Sequence, residues 1–135
     1  MPGAADRSQP PTDVLIVAKP KASREMMREI LESAGFRVTE ARSAREAASA
    51  VRSIPFDVVV TEVEGDDDDV GVWLLRRLHA WGEASPVIAL TDHRELEREL
   101  GRLGFAAVLV TPIDAADLIA VVRRVVERHR DDDLR

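Results

Sequence analysis

The densest chemistry in the chain is carboxylate. Asp66, Asp67, Asp68 and Asp69 run consecutively, close behind Glu62 and Glu64. Four adjacent carboxylates suit weak binding of Ca²⁺ or Mg²⁺, hard cations that take oxygen ligands. Their spacing is not that of a calcium loop, where ligands alternate and a glutamate closes the site, so the run reads first as a solvated acidic loop. Nitrogen ligands are dispersed: His79, His93 and His129 share no ligand spacing. Cysteine is absent, which removes disulfides and thiolate metal sites. No nucleophile stands beside a base, and neither a P-loop nor a dinucleotide fingerprint occurs, so an enzyme is not expected. Only two of the 19 basic residues are lysines, Lys19 and Lys21, two positions apart.

The elements that must carry these groups follow from periodicity. Val14–Ala18, Val58–Val60, Val87–Leu90 and Ala106–Val110 are short, largely β-branched apolar runs, which predicts strands buried on both faces. Phe36–Glu40 alternates apolar with polar residues and predicts an edge strand. Helical stripes lie between them: Met26, Met27, Ile30, Leu31 and Ala34; Leu74, Leu75, Leu78 and Trp81; Leu118, Val121, Val122, Val125 and Val126. Ala44, Ala47, Ala48 and Val51 make a stripe of small side chains suited to close packing on a sheet. Ser43 with Glu46, and Asp92 with Glu95, form capping-box patterns, and Asp114 is placed to cap the last helix. Gly35 and Gly104 sit where helices should end. Strands alternating five times with helices predict an α/β, doubly wound (βα)5 flavodoxin-like sandwich. In such a sheet ligands bind at the carboxyl ends of the strands. The residues to interrogate are therefore Ala18–Lys21, Glu62–Val70, Thr91–Arg94 and Thr111–Asp114.

Composition narrows the class. A chain of 135 residues with 45% hydrophobic content fits one folded domain. Residues 1–12, with three prolines and no apolar run, are expected to form a disordered or loosely ordered arm before a domain over 13–129 and a charged tail at 130–135. No membrane anchor or signal pattern is present, so a cytoplasmic protein is expected. A net charge of −6 argues against nucleic acid as the main partner, because phosphate binding needs a basic face. Heavy use of arginine and alanine points to a GC-rich bacterial source.

Several motifs, in order and near-correct spacing, resemble the receiver domain of two-component response regulators. Val14-Leu15-Ile16-Val17 resembles the first receiver strand, and Glu29 to Val38 looks like its helix, glycine and second strand. Phe56 to Val63 resembles the strand that ends in the phosphoacceptor, and Gly71 to Leu78 the start of the third helix. Pro86 to Thr91 resembles the fourth strand with its switch hydroxyl. Gly104-Phe105 with Val108-Leu109-Val110-Thr111-Pro112 resembles the fifth strand and its proline. The resemblance implies a five-stranded parallel sheet of order 2-1-3-4-5 and a cis Thr111–Pro112 bond.

The family's chemistry needs an acidic pair after the first strand, an acceptor aspartate, a hydroxyl, and a lysine before the proline. This chain keeps the hydroxyl, Thr91, and departs elsewhere. Ala18 and Lys19 replace the acidic pair, Glu62 stands at the acceptor position, Thr111 replaces the lysine ahead of Pro112, and Val108 replaces the switch aromatic. Alanine has no ligand atom and lysine brings a positive charge, so Mg²⁺ binding is expected to be lost or weak, with no other cofactor. Glu62 is a standing mimic of the phosphorylated state in this reading. Lys19 either enters the vacated metal position to pair with Glu62 or points to solvent. From Thr91 to Gly104 the chain is about two residues shorter than the family's usual span, so a shortened fourth helix is expected.

The resemblance therefore implies a pseudo-receiver acting by phosphorylation-independent protein–protein contact with a kinase, an effector or a second copy as a homodimer, and not with nucleic acid or membrane. Two alternatives stay open. One is an atypical receiver phosphorylated at Glu62 or on Asp66–Asp69; the other is a small-molecule sensor using Lys19, Glu62, Thr91 and Thr111.

Overall fold

A computed structural model describes residues 11–64, 70–83 and 85–133. The elements are β1 (Asp13–Val17), α1 (Lys21–Ser33), β2 (Arg37–Ala41), α2 (Ala44–Ser53), β3 (Val58–Glu62), α3 (Val70–Ala80), β4 (Val87–Thr91), α4 (Glu97–Leu103, entered through a 3₁₀ turn at Arg94–Leu96), β5 (Ala107–Val110) and α5 (Ala115–Asp133). The strands are all parallel, in the order β2-β1-β3-β4-β5. Strand alternation divides the core in two. Leu15, Val17, Val59, Val87 and Ala89 face α2, α3 and α4, where they meet Val51, Leu74, Leu78 and Leu100. Val14, Ile16, Val58, Val60 and Ile88 face α1 and α5, where they meet Met27, Leu31, Leu118 and Val122. A strand that presents apolar side chains to both layers must be a nearly continuous β-branched run, which is the pattern of Val58–Val60.

The termini of the elements follow local chemistry. Ser43 accepts the Glu46 N–H at 3.1 Å and starts α2, while the Glu46 carboxylate turns back to the Arg42 N–H at 2.8 Å. At the end of α1, Gly35 (φ +95°) donates to the Glu32 carbonyl and Phe36 to the Leu31 carbonyl, the paired bonds of a left-handed helix stop. At the amino ends of the strands, Asp13 receives Arg37 at 2.6 Å, and the Asp57 carboxylate receives the Asp13 N–H at 2.8 Å. Arg130 of α5 approaches Asp57 at 3.6 Å, so one charge network ties three strands to the last helix.

Four expectations are corrected. The run ending at Val110 is partly exposed throughout β5, because β5 is an edge strand with no neighbour on its outer side. Asp92 and Glu95 form no capping box: both carboxylates lie 3.2 Å from the His93 ring, and the Thr91 hydroxyl accepts the His93 N–H instead. Trp81 is 41% exposed and not core, since α3 ends at Ala80 and Gly82 (φ +70°) turns the chain away. Met26 is exposed, outside the stripe that Met27 and Leu31 bury.

The helix α4 is seven residues long, the short element expected, and Thr111–Pro112 is cis. Residues 130–133 continue α5. Residues 1–10 of the amino-terminal arm and the run Asp66–Asp69 lie outside the described residues, while the Thr12 carbonyl already accepts the Arg37 N–H at 2.9 Å. Among the described residues no helix is long and apolar enough to cross a membrane.

Candidate functional site

Parallel register sets the site. Val17 pairs with Thr61, Glu62 with Leu90, and Thr91 with Val110, so β1, β3, β4 and β5 end at one edge. Ala18 and Lys19 follow β1, Glu62 closes β3, Thr91 closes β4, and Thr111 with Pro112 follows β5. Among the described residues, those singled out from sequence for the pocket therefore share one edge of the sheet, apart from Val108. Val108 lies within β5 opposite Ala89 and packs on the α2–α3–α4 side of the core.

One contact ties the turn after β1 to the end of β3. The Lys19 backbone N–H donates to Glu62 Oε1 at 3.2 Å. The Lys19 side chain is exposed and makes no ion pair with Glu62, so of the two arrangements left open the ammonium takes the solvated one. Its main chain, not its charge, meets the carboxylate. Thr91 is buried, with its hydroxyl committed to the His93 N–H at 3.1 Å, and its carbonyl accepts the Thr111 N–H at 2.9 Å.

Sequence reasoning missed the residue that organises this edge. Arg24, in the first turns of α1, is only 8% exposed. Its Nη1 donates to the Ala18 carbonyl at 2.9 Å and to the Lys19 carbonyl at 2.7 Å. Its Nε lies 3.5 Å from Glu40 on β2, and Glu40 also takes Arg28 at 2.8 Å. A guanidinium has enough donors in a fixed fork to hold two carbonyls and a carboxylate together, which a lysine cannot do. The signal was present in the spacing: Arg24, Met27 and Leu31 fall at i, i+3 and i+7, so Arg24 lies on the buried stripe of α1. The clamp draws the β1–α1 turn inward and leaves the Lys19 N–H facing Glu62.

Burial pushes the Glu62 carboxyl above its ordinary range, with the charges of Glu64 and Asp92 adding to the rise; the Lys19 N–H and the Arg24 charge oppose it. A carboxyl raised on folding binds its proton more tightly in the folded state, so stability falls as pH rises through the window that begins at the ordinary glutamate value. Glu62→Gln keeps an acceptor for the Lys19 N–H and removes the charge. It is expected to melt higher than the parent at pH 7, with the difference closing as pH falls toward 4. Calorimetric melting across that range checks the sign, and a Glu62→Gln protein that melts lower at pH 7 would contradict it.

Comparisons with known proteins agree with this geometry. The family model described as response regulator receiver domain matches residues 14–123. An uncharacterized 14.6 kDa protein in the sodA1 3′ region of Leptolyngbya boryana is 36% identical over 117 residues, covering 83% of this chain and 88% of its own length. The transcriptional regulatory protein FixJ of Azorhizobium caulinodans is 36% identical over 130 residues, covering 90% of this chain; the chain spans 60% of that relative's length. Among solved structures, a CheY-like response regulator receiver domain from Methylobacillus flagellatus superposes with a TM-score of 0.75 at 27% identity, covering 86% of this chain and 99% of its own. The chemotaxis response regulator CheY4 of Vibrio cholerae superposes at 0.76 with 24% identity and the same coverage, a likeness of fold.

Proposed function

The chain belongs to the response regulator receiver domain family, and from that membership we propose that it is a receiver module that signals by protein–protein contact without taking up a phosphoryl group. The observation that carries this reading is the Arg24 clamp. The carbonyls of Ala18 and Lys19 are committed to a guanidinium, and the Lys19 N–H to Glu62.

Receiver chemistry uses Mg²⁺, and the residues here do not suit that ion. Mg²⁺ wants near-octahedral oxygen ligands, usually with carboxylates among them. Where the family places its acidic pair, this chain has the buried methyl of Ala18 and an exposed lysine. A divalent ion drawn to Glu62 would also meet the fixed positive charge of Arg24, which acts on the same carboxylate. Group transfer suffers in turn. The additional methylene of a glutamate moves its oxygens relative to an aspartate, and misplacement by about 1 Å costs on the order of a hundredfold in a positioned reaction. With Thr111 in place of the lysine, charge developing on a transferred group has no ammonium to neutralise it.

The pocket is thus a fixed structural junction, and signalling rests on binding a kinase, an effector or a second copy through an outer face. Incubation with Mg²⁺ and acetyl phosphate, followed by intact mass measurement, tests this. No phosphoryl adduct is expected. An adduct mapped to Glu62 or to residues 66–69 would overturn the proposal.

A further inference from the structure

Two large apolar side chains are exposed along α3: Trp73 on the helix and Trp81 just past it. Trp73, Arg77 and Trp81 succeed one another at four-residue spacing, and the Trp81 N–H still donates to the Arg77 carbonyl at 3.0 Å, so the three follow one row of the helix surface. The Arg77 guanidinium lies over the Trp73 ring, 4.7 Å from its centroid, and Arg52 of α2 lies over Trp81 at 5.1 Å. Tryptophan and arginine therefore alternate across two packed helices.

The charge of this face is opposite to that of the chain. α3 has no acidic residue in Val70–Ala80, and the one carboxylate of α2, Glu46, is already held by Arg42 at 2.9 Å. Glu83, beyond the row, is turned to Ser85 at 3.3 Å. Arg52 and Arg77 make no ion pair with any described residue, in a chain of net charge −6. An arginine already resting on an indole loses less side-chain freedom when it binds. It still has donors for a carboxylate, which a guanidinium takes in bidentate fashion. Exposed tryptophan and arginine are also the side-chain types on which binding energy concentrates.

We propose that this row docks an acidic segment of a partner protein, its carboxylates on Arg52 and Arg77 and an apolar side chain against Trp81. The row lies on elements other than the strand-end pocket, so the proposal goes beyond the reading of that pocket and is tested separately. The two tryptophans are the only ones in the chain, which has no tyrosine, so tryptophan emission reports on this face alone. The probe is a synthetic peptide repeating Glu-Glu-Leu-Glu, set against the same peptide with lysine for glutamate and against a deoxythymidine oligomer. The glutamate peptide is expected to shift the emission saturably and the lysine peptide to leave it unchanged. Arg77→Glu and Arg52→Glu should each weaken binding at least tenfold; both are surface changes, and a variant whose melting temperature falls is set aside for the other. Failure of the glutamate peptide to bind the parent, or binding by both variants as tight as the parent's, would overturn the proposal. So would a shift with the oligomer alone, which would assign the row to nucleic acid. Concentration-dependent dimerisation lost in Arg77→Glu, with no peptide response, would assign it to a second copy and overturn it as well.

Discussion

Arg24→Ala is expected to destabilise the fold by about 2–4 kcal/mol, a drop on the order of 10 °C in melting temperature for a domain of this size. The loss has three parts. The Ala18 carbonyl, buried, loses its Nη1 donor at 2.9 Å; the Lys19 carbonyl loses a bond of 2.7 Å; and Glu40 loses one of its two arginines. A buried acceptor left without a partner costs about 1–3 kcal/mol by itself. Glu40 keeps Arg28, so the larger penalty of a stranded buried charge is not incurred in full. Arg24→Lys should recover little, because one ammonium cannot span two carbonyls and a carboxylate. Arg28→Ala is the control, as Arg28 is half-exposed and its pairs should contribute at most ~1 kcal/mol. Chemical denaturation of the three variants, with amide exchange at Lys19, reads both consequences. Arg24→Ala no worse than Arg28→Ala, with the Lys19 amide still protected, would mean that the clamp does not hold the turn.

Gly71→Ala should also destabilise, by up to about 2 kcal/mol net, and for a reason specific to the site. A Cβ at Gly71 would lie 2.5 Å from the Glu62 carbonyl oxygen and 2.6 Å from Val63 Cγ2. The first of these is backbone and cannot rotate away, so the start of α3 must lift from the end of β3. Overpacking of this kind typically costs about 1–3 kcal/mol, against a helix-propensity gain of about 1 kcal/mol for alanine over glycine. Gly101→Ala, in α4, supplies the opposite case: its Cβ would meet nothing within 4 Å, so the same substitution should stabilise by about 0.5–1 kcal/mol. Shifts of the Glu62 and Lys19 amides in Gly71→Ala, but not in Gly101→Ala, would tie the loss to the site. Equal stability of the two variants would show that α3 is not pinned there.

The architecture was legible because each buried strand must satisfy two layers. Val14–Val17 and Val58–Val60 are apolar on both faces, and their shortness and β-branched content favour a strand over a buried helix segment. The site was legible for a related reason, since parallel strands bring Ala18, Glu62, Thr91 and Thr111 to one edge whatever their side chains do. What escaped was the contact made by backbone and the residue that enforces it. A lysine near a glutamate suggests an ion pair, yet the Lys19 amide makes the bond. Arg24 reads as one of many surface arginines unless its place on the Met27–Leu31 stripe is weighed above its charge. Trp81 failed in the opposite sense: its spacing from Leu78 continues the stripe, but the helix stops one residue earlier and the ring stays outside. β5 was misjudged because apolar composition does not distinguish a central strand from an edge covered by flanking helices.

The most direct test of the central claim is an amide NMR titration with Mg²⁺ and beryllofluoride, the analogue of a phosphorylated carboxylate in this family. A pocket held by Arg24 and the Lys19 amide predicts no saturable shift at Lys19, Glu62, Thr91 or Thr111 and no change in melting temperature. Saturable shifts centred on Glu62 and Thr91, with a raised melting temperature, would show that the pocket still switches and would contradict the account.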